Sequence, residues 1–225
     1  MRGAENFQSP DSDNHRLYRK LFAPFEDVAR RHFESRGYAM PDFPDYLAHT
    51  QGFEPQGVYN DVYWFPLSDY AEKMVIPHKI AVWKAGMKLM QYLGDHEQLA
   101  MLERLFVHDA SKFNWDEWRA YYDRFIGSLK GQPASDVFKR ALIHHYNSND
   151  HHPEHWLLHN SDGSVDAIEM PKLAALEMIA DWMGASESYG TPMQDWLDKR
   201  FASIPLHTST RALVGEFLKE LGYTV

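Results

Sequence analysis

Apolar and polar positions follow a helical period over most of the chain. Leu17, Leu21, Phe22, Phe25, Val28 and Ala29 recur every three or four residues, with Asn14 placed to cap the run and Gly37 to end it. From Tyr38 to Pro66 no period holds. Pro41, Pro44, Pro55 and Pro66 are mixed there with glycines and aromatics, which predicts a long ordered loop or lid, with residues 1–13 polar and loose. From Ser68 the helical pattern returns. Pro77 opens or kinks a helix with His78, Val82, Ala85 and Leu89 on one stripe, stopping near Gly94.

Asp95 caps the next helix, whose apolar positions Leu99, Met101, Leu102, Leu105 and Phe106 lead into His108-Asp109. Asn114 caps a helix from Trp115 to Leu129, and Ser135 caps one through Phe138, Ala141 and Leu142 to His144-His145. A loop from Asn147 to Gly163 follows. Pro171 starts a helix to Gly184, and two more helices are expected near Met193–Phe201 and Ser209–Leu221. No strand-like alternation stands out. The expectation is an all-α chain: residues 1–67 form an N-terminal helix and an irregular, aromatic-rich loop packing on the core, and residues 68–225 form a helical bundle.

Composition narrows the function. Apolar content of 44% with 14% aromatics is that of a folded globule. A formal charge of −9 argues against a nucleic-acid polymer as the main partner, though a small anionic substrate can still sit in a local positive pocket. With no cysteine, disulfides, iron–sulfur clusters and thiolate zinc sites are out. No apolar run approaches the roughly 18 residues a membrane span needs, and no apolar signal core opens the chain. A cytoplasmic location is expected, in an infected cell if the source is viral. Oligomeric state is not legible.

The chemistry gathers at His108-Asp109. Met101 and Leu105 precede His108, and Leu102 and Leu105 precede Asp109, at one- and two-turn spacings, so both side chains face the stripe that the leucines bury. A buried carboxylate beside a histidine is costly unless a positive group stands there. His78 shares an apolar stripe, and His144, His145, His151 and His152 cluster further on among thirteen histidines. Between Leu173 and Met183 the only charges are Glu177 and Asp181, four apart on one face, where like charges repel. A metal ion would resolve that clash. Arginine partners such as Arg140 or Arg200 would resolve it too.

His78, then His108-Asp109, then Asp181 resembles the signature of the HD-domain metal-dependent phosphohydrolase superfamily. The resemblance spans residues 74–190 and implies an all-helical HD-like bundle in which these four side chains hold one divalent ion. His108-Asp109-Ala110-Ser111-Lys112 is similar to the form found in binuclear branches, with Ser111 where those have glycine. The extra histidines His144, His145, His151 and His152 resemble ligands to a second ion there. More narrowly, His-Asp-x-Ser-Lys-Phe at 108–113 and His-His-Pro-Glu-His-Trp at 151–156 resemble a small family of uncharacterised bacterial and phage proteins.

Nitrogen and carboxylate ligands without sulfur suit manganese, iron, cobalt, nickel or zinc. One ion is expected, and two are compatible with the set. The resemblance implies a phosphohydrolase acting on a small phosphorylated molecule such as a nucleotide. Lys112, Lys79 or Arg140 would bind phosphate oxygens, and Glu177 or a loop histidine would move protons. Two alternatives stay open: a di-iron oxygenase of the same superfamily, and a non-catalytic protein that binds metal or nucleotide.

Overall fold

A computed structural model describes residues 13–41 and 61–225. The reading of residues 1–12 and most of the irregular stretch, 42–60, therefore lie outside the described residues. The helices are α1 (Asp13–Glu34), α2 (Asp61–Tyr70), α3 (Ile76–Leu89), α4 (Asp95–Val107), α5 (Trp115–Phe125), α6 (Asp136–Ser148), α7 (Lys172–Tyr189), α8 (Met193–Arg200) and α9 (Thr208–Glu220). The all-α expectation holds. Sequence pattern missed one small exception, an antiparallel hairpin of β1 (Leu157–His159) and β2 (Val165–Ala167). Strands of three residues are too short to show an alternation.

Two compact units divide the chain. The first combines residues up to Ile80 with Phe106–His145, and the second combines Ala81–Leu105 with Tyr146–Val225. In the first, Phe22, Phe25, Ala29 and Phe33 form the buried stripe of α1. Phe22 meets Phe113 edge-on at 5.0 Å, Phe25 lies 5.5 Å from Phe106, and Phe33 meets Phe106 edge-on at 5.8 Å. These contacts fix the segment around the His-Asp doublet within a packed aromatic core. Tyr121 of α5 packs edge-on against Phe138 of α6 at 5.2 Å and so sets α6 beside α5.

The irregular stretch ends earlier than expected, because residues 61–66 are helical and Pro66 lies inside α2. A mid-helix proline removes one hydrogen bond and crowds the preceding turn. Complete burial of Leu67, Tyr70 and Ala71 offsets that cost. A π-turn, Ala71–Val75, closed by the Ile76 N–H on Ala71 O, then joins α2 to α3. It widens the backbone just before Pro77, whose ring needs room against the previous turn.

In the second unit, Val82, Trp83 and Leu89 of α3, Leu102 and Leu105 of α4, Leu176 and Ile179 of α7, and Val214 and Leu218 of α9 are buried. α7 does not stop at Gly184 but at Gly190, which takes the left-handed conformation at φ 67°. Gly184 serves packing instead: a Cβ built there would lie 2.7 Å from the Val82 nitrogen, so α3 and α7 approach backbone to side-chain-free backbone.

Candidate metal centre

Helix α4 ends at Val107, and the chain turns at the doublet. Asp109 adopts φ 56°, ψ 22°, the one left-handed non-glycine residue among the described residues. Aspartate enters this region more readily than most L-residues, but the conformation still costs free energy and persists only where surroundings hold it. A 3-10 turn, Ala110–Phe113, continues from it, with the Lys112 N–H donating to Asp109 O at 3.0 Å.

The hold comes from Lys79. This side chain is fully buried, and its ammonium donates to Phe106 O at 2.8 Å and His108 O at 2.7 Å. It also lies 4.6 Å from the centroid of the Phe25 ring. A positive group on the last carbonyls of a helix answers both their hydrogen-bonding need and the helix dipole. Lys79 is thus a structural cation under the doublet, which corrects its reading as a phosphate ligand: its donors are spent on main-chain carbonyls in the core.

The doublet and His78 come together. His78, His108 and Asp109 are 5%, 2% and 1% exposed, and each offers a ligand atom within 4.8 Å of the others'. The Nε2 atoms of His78 and His108 each lie 3.4 Å from the same oxygen, Asp109 Oδ2. About 3.4 Å is the edge of a tetrahedron whose corners lie about 2.1 Å from its centre, the usual distance for first-row metal–imidazole and metal–carboxylate bonds. Two imidazoles and one carboxylate also form the nitrogen–oxygen donor set that such ions prefer. This buried His/Asp cluster could hold a metal ion.

Asp109 is the electrostatic centre of the group. Burial pushes its carboxyl up. The opposing pull of His108, Lys112 and His145, with a hydrogen bond from His78, wins and holds it well below the usual carboxylate range. Lys112 Nζ lies 2.5 Å from Oδ2, and His145 Nε2 lies 3.4 Å from the other oxygen, Oδ1. The carboxylate therefore faces the His78–His108 pair with one oxygen and α6 with the other.

His144 and His145 turn toward a residue that sequence reasoning passed over. Glu117 of α5 is fully buried, with His144 Nδ1 2.6 Å from Oε1 and His145 Nδ1 3.0 Å from Oε2. Ser111 Oγ is 3.3 Å from the same His145 nitrogen. In sequence Glu117 sits between Asp116 and Trp118 in the first turn of a helix, where acidic residues are ordinary dipole partners. No residue next to it in sequence marks it as buried. His144 also lines a cavity of about 400 Å³ with Asp116, Arg119, Asp123 and Arg140.

In the second unit, Glu177 on α7 is 4% exposed and meets a histidine and an arginine. His151 Nδ1 lies 3.1 Å from Oε1 and Arg104 Nε 2.8 Å from Oε2. Arg104 also donates to Asp150. Burial weakens the Arg104 charge, but Glu177 and Asp150 outweigh it and raise its pKa. An arginine does meet Glu177, and it is Arg104 rather than Arg140 or Arg200. The His151 ring lies 4.4 Å from that of His152, which in turn lies 5.1 Å from Tyr146. Pro153 opens a 3-10 turn to Trp156. Asp181 lies half-buried on α7, one turn after Glu177.

Among the described residues no helix is long and apolar enough to cross a membrane. No curated protein and no solved structure matches the chain. The family of unknown function DUF5662 matches residues 68–220, a stretch that holds the whole His/Asp cluster, and the chain belongs to that family.

Proposed function

We propose that the chain is a metal-dependent phosphohydrolase acting on a small phosphorylated substrate such as a nucleotide. The observation that carries this reading is the single oxygen of a buried, ionised Asp109 shared at 3.4 Å by two imidazoles. His78, His108 and Asp109 would hold the ion. The order of these residues, ending in Asp181, is that of the HD-domain phosphohydrolases, and on that order we assign Asp181 as the fourth ligand. A bound divalent ion supplies a Lewis acid for a phosphoryl oxygen and acidifies a bound water.

The chain's own residues supply the rest. Lys112 neutralises Asp109 and stands ready to accept charge that builds on a phosphoryl oxygen. Glu177, with its oxygens engaged by Arg104 and His151, orients His151, and proton movement falls to a loop histidine, His151 or His152. Asp109 Oδ1 with His145 offers a place for a second ion, which is also what favours the di-iron oxygenase alternative.

Protein purified without added metal, analysed for manganese, iron, cobalt, nickel and zinc, and then assayed for phosphate release from p-nitrophenyl phosphate and nucleotides tests the reading. We expect about one or two ions per chain and metal-dependent release. A loaded protein that releases no phosphate from any of them overturns it. Two irons per chain, with dioxygen consumed and no phosphate released, would establish the oxygenase alternative.

A further inference from the structure

We infer that Glu117 is a positioning residue that sets the tautomers of both His144 and His145, and through His145 the orientation of Asp109. An ionised carboxylate only accepts hydrogen bonds. Its two oxygens lie 2.6 and 3.0 Å from the Nδ1 atoms of two consecutive histidines, so both Nδ1 atoms carry the hydrogen and donate. Each imidazole then presents Nε2 on its far side. For His145 that atom is the one 3.4 Å from Asp109 Oδ1. For His144 the ring forms part of the wall of the cavity that Arg119 and Arg140 also line.

Successive residues on a helix point about 100° apart, so neighbouring imidazoles do not meet one acceptor by accident of spacing. Here they do because α5 brings a carboxylate with no exposed surface between them, and Tyr121 braces the His145 ring at 5.9 Å. Outer carboxylates that fix the tautomer of a ligating or neighbouring imidazole commonly matter 10- to 100-fold for metal affinity. Glu117 thus links the metal cluster to the cavity wall by one side chain, with His145 on the inner arm and His144 on the outer. This reading rests on the proposed metal centre only for its consequence. The tautomers themselves are set with or without an ion.

Glu117→Gln tests it at constant volume. An amide offers one acceptor and one donor group, so it can receive a hydrogen bond from only one of the two Nδ1 atoms. The other ring must switch to the tautomer with hydrogen on Nε2. In long-range ¹⁵N–¹H spectra of the metal-free chain, wild type should show both residues with hydrogen on Nδ1, and the variant should show one of them switched. Cobalt affinity should fall about 10- to 100-fold in the variant. Glu117→Asp, which keeps two acceptor oxygens, should restore both tautomers and most of the affinity, and it serves if the amide variant does not fold. Unchanged histidine tautomers in Glu117→Gln, or an Nε2 hydrogen on either ring in wild type, overturn the inference. A switched tautomer in a protein whose wild type takes up no cobalt leaves this inference standing and overturns the metal reading instead.

Discussion

Lys112 Nζ lies 2.5 Å from Asp109 Oδ2, the same oxygen that faces His78 and His108. The ammonium and a divalent cation would compete for one carboxylate oxygen. Lys112→Met should therefore tighten manganese or cobalt binding, by about 10-fold for a like charge removed from a few ångströms away. Phosphate release should fall at the same time. Calorimetric titration separates the two effects: weaker metal binding in this variant would make Lys112 a brace for Asp109 rather than a competitor.

Asp109→Asn and Asp109→Ala should both abolish metal binding, for different local reasons. Asparagine tolerates the left-handed backbone at φ 56°, whereas alanine adds about 1 kcal/mol of strain. Helix content by circular dichroism should survive in both. The native carboxyl is held below its ordinary value, so its contribution to stability is fully present above about pH 4 and is lost as pH falls through the native value. The asparagine variant should lack that part of the acid dependence. Retained metal stoichiometry in either variant would show that Asp109 is not a ligand.

Lys79→Met removes the donors to Phe106 O and His108 O while keeping most of the side-chain volume. Two buried carbonyls losing charged donors should cost roughly 2–5 kcal/mol. Urea denaturation checks this. A gain in stability would mean that desolvating the ammonium costs more than its two bonds return.

Gly184→Ala and Gly86→Ala should differ, although both sites are crowded. The added Cβ at Gly184 meets the backbone of Val82, at 2.7 Å from N and 2.9 Å from Cα, which cannot move aside without shifting α3. At Gly86 the three nearest atoms are Cγ and both Cδ atoms of the Leu105 side chain, which yields more readily than backbone. We expect a loss of about 2–3 kcal/mol at Gly184 and less than about 1.5 kcal/mol at Gly86. Equal losses would contradict the packing described for α7.

Local signals carried the helices and the doublet. Asn114 caps α5 by accepting from the Asp116 N–H at 3.0 Å, and Ser135 receives the Phe138 N–H at 3.2 Å, as their positions in the sequence implied. The meeting of His78 with His108-Asp109 followed from apolar stripes and a family resemblance. What stayed hidden depends on distance along the chain. Glu117 reaches histidines 27 and 28 residues away, and Lys79 reaches carbonyls 27 and 29 residues away. Nothing in the immediate neighbourhood of either residue marks it as buried and committed. Pro66 misled in the opposite direction, because a strong local breaker was overruled by the burial of the residues that follow it.

The burial of Lys79 also separates the site from the electrolyte. Exposed pairs such as Lys139–Asp136 lie in water, where molar salt shortens the screening length to about 3 Å and dissolves their attraction. The ammonium under the His-Asp turn has no solvent-accessible surface, so mobile ions do not enter between it and its carbonyls. The ligand geometry should accordingly hold from dilute buffer to molar potassium chloride. Any change in metal occupancy over that range then reports chloride competing at the ion, or the shielding of its approach, and not a loosening of the protein around it.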